Sequence, residues 1–227
     1  MQIAGRLSKC AELVRQGAVL ADIGTDHAYL PIYLLKKGRI KFAHLSDINE
    51  GPLSKAAENA EREGVTDMTA LHLTSGAAAL SDLGITDYCI CGMGGELIAE
   101  IIGAAPALFD NSVNLILQPM TKPEVLRAFL YENGFAIRTE RYVFDEGKYY
   151  VIILASFTGQ RVECTDADAY FGKAEYFAEI SEDMKGYLKG RKKALEKRAC
   201  GLEAGGSDSS HERYLLSELD RLSGGII

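Results

Sequence analysis

Asp22, Gly24, Asp26 and His27 crowd into the stretch "ADIGTDHAYL", residues 21–30, between an apolar run at 18–20 and an apolar-periodic segment at 31–35. A strand, a tight glycine turn and a helix form the layout with which doubly wound folds hold a nucleotide cofactor. A dinucleotide loop needs G-x-G-x-x-G so that backbone amides can crowd a pyrophosphate. This loop has one glycine, Gly24, and follows it with a carboxylate. Carboxylates repel phosphate and attract cations, so Asp22 and Asp26 suit a cofactor that carries sulfonium and ammonium groups and no phosphate. S-adenosylmethionine has that chemistry.

Other candidates stand at strand ends. Asp47 comes 25 residues after Asp22, followed by Ile48. An acid there can accept hydrogen bonds from both ribose hydroxyls of either cofactor class. Ser75 and Gly76 follow the third expected strand, where an adenine ring would be held. "CGMGG", residues 91–95, contains Gly92, Met93, Gly94 and Gly95. Its glycines let backbone groups approach a flat ring and open a helix whose N-terminal dipole faces the site. "LILQPM" sets Gln118 and Pro119 at the end of the fifth strand. Asp26 or His27 is placed to take up a proton, Gln118 to face a ring that becomes positive, and Tyr29 to stack on a base. Each has a plainer reading: Asp22 and Asp47 as helix caps, the glycines as a tight turn, His27 as a buried hydrogen-bonder, Tyr29 as core.

The elements that must position these residues follow from periodicity. Strands are expected at 18–23, 42–48, 69–73, 88–91 and 113–118, and helices at 7–14 and near 28–37, 53–63, 77–82, 94–103 and 123–133. "FAIRTERYVF" and "KYYVIILASF" then form a hairpin through Asp145, Glu146 and Gly147. An α/β, Rossmann-like, seven-stranded sheet with one reversed strand is the expectation. Beyond residue 157, Phe177, Ile180, Met184, Leu188, Arg191 and Leu195 recur at steps of three and four, and "ACGLEAGGSDSSHERY" interrupts before a second helix with Leu215, Leu219 and Leu222. The chain thus divides into a cofactor-binding domain, 1–157, and a helical hairpin, 158–227. The first tail helix carries Lys185, Lys189, Arg191, Lys192, Lys193, Lys197 and Arg198 within fourteen residues, either a solvated face or a nucleic-acid surface.

Composition sets the bounds. At 227 residues, 47% apolar and 25% charged, the chain can bury one full core and support an appendage. No window reaches the roughly 20 apolar residues of a membrane span, and "MQIAGRLSKC" lacks a secretory signal, so a cytoplasmic protein with no membrane partner is expected. Five cysteines without a C-x-x-C pair and four scattered histidines point to reduced thiols and no metal. Cys89 and Cys91 are expected on one face of a buried strand. A net charge of −7 leaves any nucleic-acid contact to local basic patches.

Taken together, "DIGTDHAYLPIYLL", "SDINEGPLSKAAENA", "CGMGGELIAEII", "LILQPM" and "EGKYYVIIL" resemble the bacterial tRNA (adenine(22)-N(1))-methyltransferase family, in order from about residue 7 to 157. The helical tail is similar to that family's coiled-coil-like C-terminal domain. The resemblance implies a class I methyltransferase core, S-adenosyl-L-methionine as donor and N1 of a tRNA adenine as target, with no obligate protein partner. It implies that Asp22, Gly24, Asp26, His27, Tyr29, Asp47, Ser75, Gly76, Gly92 and Met93 line the cofactor and transfer site, and Ile48 is expected as a further cofactor contact. Substrate contacts are expected from Gly94, Gly95, Gln118, Pro119, Arg127, Lys185, Lys189, Lys192 and Lys193. The chain departs from the family pattern at Ser75 and Met120. The competing readings are an NAD-type oxidoreductase, which Asp26 opposes, and a non-enzymatic RNA-binding adaptor that has lost cofactor binding.

Overall fold

A computed structural model describes residues 2–227. Seven strands form one sheet in the order β3-β2-β1-β4-β5-β7-β6. They are β1 (Ala18–Ile23), β2 (Ile40–Asp47), β3 (Thr69–Leu73), β4 (Asp87–Gly94), β5 (Asn114–Thr121), β6 (Phe135–Asp145) and β7 (Lys148–Phe157). Neighbours pair in parallel except around β7, which runs antiparallel to both β5 and β6. The first five strands need helical crossovers to return in parallel, whereas β6 and β7 need only a tight turn. Glu146 and Gly147 supply it with φ of 48° and 81°, the pair of positive values that a type I′ turn demands.

Alternation along the strands sends successive side chains to opposite faces. Leu20, Leu45, Cys89, Ile116 and Ile152 bury one face against α1 (Gly5–Leu13), α2 (Tyr29–Lys36) and α3 (Glu50–Arg62). Ala21, Ile23, Ile90, Leu117 and Ile153 bury the other against α4 (Gly95–Gly103) and α5 (Pro123–Glu132). Cys91 packs with Cys89 on the α1 face, with the Cys10 and Cys91 sulfurs 3.6 Å apart.

The tail adds α6 (Asp166–Phe171), α7 (Glu182–Ala204) and α8 (Ser210–Ser223). Phe171, Tyr187, Leu188, Leu195, Leu215 and Leu219 join the core on the α4–α5 side, so the helical hairpin and the sheet share buried apolar surface. α6 was not expected; its start is fixed by a capping box between Thr165 and Asp168. α7 continues to Ala204, through the place where an interruption was expected at residue 199. Ala199 is fully buried in the helix interface, and that packing outweighs the weak propensity of Gly201. The segment 77–82 forms only a short 3-10 turn at Ala78–Leu80. Among the described residues no helix is long and apolar enough to cross a membrane.

Candidate functional site

The strand ends expected to carry chemistry meet at the carboxyl edge of the parallel half of the sheet. The loop from β1 to α2 is tied down first: Gly24 and Thr25 donate their amides to the Ser46 carbonyl at 2.8 and 2.9 Å. The Thr25 hydroxyl donates to Asp22 at 2.6 Å, and Asn59 donates to the His27 carbonyl at 2.9 Å. The chain then passes through Ala28 at φ 55°, a left-handed conformation for a residue with a Cβ, and starts α2. Such backbone costs of order 1–3 kcal/mol and persists only where neighbours hold it. The result is a rigid turn that presents Asp26, His27 and Tyr29 outward. Asp26 is exposed, His27 lies 3.5 Å from its carboxylate, and the His27 and Tyr29 rings stack at 5.0 Å and 12°.

Beside this turn opens a cavity of about 460 Å³. Its walls include Gly24, Asp47, Ile48, Ser75, Gly76 and Met93 from the expected cofactor set. Asp22, Asp26, His27 and Gly92 are not among its walls. Asp22 braces the turn through Thr25; burial pushes its carboxyl up to about 7, with the Thr25 hydroxyl pulling down and neighbouring Cys91 adding to the rise. Asp47 is partly buried and receives the Asn49 amide at 2.8 Å, and Ile48 is 66% exposed at the rim. Gly24, at φ 74°, faces Met93 so closely that a Cβ would overlap its methyl group.

Several wall residues escaped the sequence reading: Ser46, Asn49, Ala77, Leu97, Glu100 and Ile101. Leu97, Glu100 and Ile101 sit three and four apart on α4, a spacing that also describes a core stripe. Ser46 had a signal, its place beside Asp47. Its hydroxyl is buried without a partner in a cavity wall, and an orphaned buried hydroxyl asks for an acceptor or donor from a ligand. A carboxylate for a diol, apolar walls for a flat ring, and glycine backbone along the floor fit an adenosine with an aminoacyl sulfonium tail.

The glycine turn after β4 is held from below. Gln118 is 1% exposed; its Oε1 accepts the Gly92 amide at 3.1 Å and its Nε2 donates to the Pro119 carbonyl at 3.1 Å. Gln118 was expected to face the target ring, but both ends of its amide are engaged, so it positions Gly92 instead. Met120 accepts a further contact from Gln118 at 3.5 Å. Gly95 starts α4 against the β5–α5 turn, where a Cβ would overlap the Lys122 carbonyl. Gly92, at φ 77°, has no heavy atom within 4 Å of where a Cβ would stand, so its face is open.

Arg127 corrects another expectation. It is fully buried, forks onto Glu140 at 2.6 and 2.9 Å, and donates to the Ala169 and Tyr170 carbonyls. A guanidinium committed in the core cannot meet a polyanion at the surface. The basic run on α7 also divides. Arg191, Lys192 and Arg198 pair with Glu124, Asp220 and Glu212 at 2.9, 2.8 and 2.7 Å, and Lys185 lies 3.8 Å from Glu182. Lys189, Lys193 and Lys197 are exposed, with no acidic partner among the described residues.

This geometry has relatives. A model of the methyltransferase domain matches residues 3–153. Over 221 residues the chain is 29% identical to the tRNA (adenine(22)-N(1))-methyltransferase of Bacillus subtilis, covering 97% of this chain and 87% of the relative. Streptococcus pneumoniae Sp1610, solved in complex with S-adenosyl-L-methionine, is similar at 31% identity and a TM-score of 0.84, covering 98% of this chain and 100% of that one. The chain belongs to the tRNA (adenine(22)-N(1))-methyltransferase family. The M. capricolum member TrmK, solved with S-adenosyl-homocysteine, shares 25% identity and a TM-score of 0.84 over 100% of both chains. The cavity lies beside β1, β2 and β4 at the carboxyl ends of parallel strands, where open α/β sheets bind their ligands.

Proposed function

We infer that this chain transfers the methyl group of S-adenosyl-L-methionine to N1 of adenine 22 in tRNA. The carrying observation is the glycine-floored cavity with Asp47 and the orphaned Ser46 hydroxyl in its wall, opening beside the unfilled face of Gly92. The named activity of the Bacillus subtilis relative, and the donor and its product in the two solved structures, support the same reading.

The bound cofactor supplies an electrophilic methyl group on a sulfonium whose departure needs no protonation. The chain therefore has to align rather than to donate protons, and alignment alone can supply several kcal/mol of the barrier. Asp47 would hold the ribose hydroxyls, Ile48 and Ala77 the faces of the adenine, and Ser75 and Gly76 its edge. Gly24 would let the backbone lie against the aminoacyl tail. Adenine N1 must be unpaired to accept the methyl group, which requires an extruded base. Gly92 and Gly94, with Gln118 fixing the turn, would bring backbone groups against that base, and Tyr29 offers a half-exposed ring beside it. Asp26, exposed, and His27, partly buried and 3.5 Å from it, would take up the proton. Residues 1–157 would carry this chemistry, and 158–227 would extend the surface that meets the RNA.

Two measurements test this reading. Purified protein should bind S-adenosylhomocysteine and not NADH by calorimetry; the reverse would favour the oxidoreductase. Incubation with labelled methyl donor and total tRNA should yield 1-methyladenosine on nucleoside analysis, and label in any other nucleoside would overturn the target.

A further inference from the structure

A second cavity, of about 400 Å³, lies where the β5–α5 turn, the tip of the β6–β7 hairpin and α7 converge. It borders the glycine turn after β4, because Thr121 and Lys122 in its wall are the residues against which Gly94 and Gly95 pack. Its sides are built by Met120, Lys148 and Tyr149, and its floor by Gly186 and Gly190 of α7.

The floor is unusual for a helix. An interior glycine weakens a helix relative to alanine. At Gly186 the reason is packing, since a Cβ would overlap the Tyr149 ring. At Gly190 there is no packing reason: no heavy atom lies within 4 Å of where a Cβ would stand. The missing side chain leaves open space in the cleft. The opposite wall is held firmly, because Arg6 grips the hairpin tip through Asp145 at 2.7 Å and Glu146 at 3.1 Å.

Charge continues the same line. At 100° per residue, positions 186, 190, 193 and 197 fall within about 60° of arc, and 189 stands about 40° outside it. The lysines of α7 that lack acidic partners, Lys189, Lys193 and Lys197, therefore extend the stripe begun by the two glycines over about 16 Å. Those that are paired, including Arg191 and Lys192, lie to the sides. Within the cleft Lys122 is neutralised by Glu96 at 2.6 Å and Arg191 by Glu124, whereas Lys148 is exposed and has no acidic partner among the described residues. Tyr149, 39% exposed, stands in the same wall with its ring against Gly186 and 4.8 Å from that of Phe144.

We propose that this cleft receives one unpaired nucleotide adjoining the target adenine, its base against Tyr149 and its phosphate toward Lys148, with the RNA backbone leaving along Lys189, Lys193 and Lys197. The proposal rests on the reading of the chain as a tRNA methyltransferase. An aromatic wall with a cationic track is how single-stranded RNA is held. A cleft walled on three sides, of single-base size, admits an unstacked nucleotide and excludes a duplex.

Gly190→Leu tests it. The leucine would fill the cleft while improving helix propensity, so the thermal midpoint should stay or rise and S-adenosylhomocysteine affinity should hold. The tRNA Kd should rise at least tenfold. Lys148→Gln, on the exposed turn, should weaken tRNA binding severalfold and flatten its salt dependence. Removing the base adjoining the target adenine should weaken binding to the wild type and have little further effect on Gly190→Leu. Wild-type tRNA Kd and KM in both variants would overturn the cleft assignment. A wild-type protein that methylates no tRNA adenine would instead overturn the underlying function, so the two failures are distinguishable.

Discussion

Arg127 with Glu140, and the carboxyl edge with Asp22, Ser46 and Gly92, are two places where the chain buries polarity. In the first, each nitrogen of the guanidinium has a partner: Nε and Nη2 fork onto the carboxylate, Nη1 donates to two carbonyls, and Tyr142 donates to the same carboxylate at 2.7 Å. At the second, Ser46 has an orphaned hydroxyl, Asp22 is raised to about 7, and Gly92 faces open space. The contrast separates structure from function. A satisfied polar cluster is complete without a ligand, while an unsatisfied one at a strand edge retains capacity for one.

Breaking the satisfied cluster should have the largest effect. Arg127→Met strands a buried Glu140 and should destabilise the fold by about 3–5 kcal/mol in denaturant titration, whereas Arg127→Met with Glu140→Leu should recover most of that loss. A single variant as unstable as the double would show that packing, not charge, holds this region. At the unsatisfied edge, Gln118→Ala releases Gly92 and should lower kcat by about a hundredfold while S-adenosylhomocysteine affinity stays within severalfold, because a misplacement of about 1 Å costs that much. Undiminished kcat would remove Gln118 from the positioning role. Asp47→Ala should weaken S-adenosylhomocysteine by about 1–3 kcal/mol, the usual loss for hydrogen bonds to a charged acceptor; calorimetry reads it directly.

Asp22 gives a pH signature. Its folded pKa of about 7 lies above the ordinary 3.8, so the folded state binds more protons than the unfolded chain between those values. Stability from this group is fully present below about pH 4 and is lost as pH rises through 7. Asp22→Asn should therefore gain on the wild type by about 1 kcal/mol between pH 6 and 8. A constant difference across that window would mean the carboxyl is ionised throughout. The smallest effect belongs to single surface charges: Lys193→Gln should reduce the salt slope of tRNA binding by about 0.7–0.9 and leave stability unchanged.

The sheet was legible because each strand is an apolar run bounded by turn chemistry, and the reversed β7 because Glu146-Gly147 admits only a hairpin. Asp47 and Gly76 were legible at the cavity because a parallel sheet puts its ligand at the carboxyl ends of strands, and Met93 because the family resemblance implied it. Arg127 and Gln118 misled for one physical reason: a polar residue near a strand end reads alike whether it faces a ligand or an internal partner. The partner of Arg127 lies thirteen residues away on another element. Ser46 was missed because only the fold leaves its hydroxyl without an acceptor. On α7 the sequence showed seven cations but not which of them the other helices and α5 would neutralise.

The grip of Arg6 on Asp145 and Glu146 bears on the order in which the protein can be completed as it leaves the ribosome. The N-terminal helix packs on β5, β6 and β7 as well as on its neighbour α2. Its hairpin partners emerge about 140 residues later, at 5–20 residues per second. For roughly 7 to 28 seconds Cys10 of the nascent helix, and Val14 just beyond it, stand without their final cover. Residue 6 therefore meets its partners late although it is made early, and a fusion placed ahead of it would act on the docking of the first helix rather than on its formation.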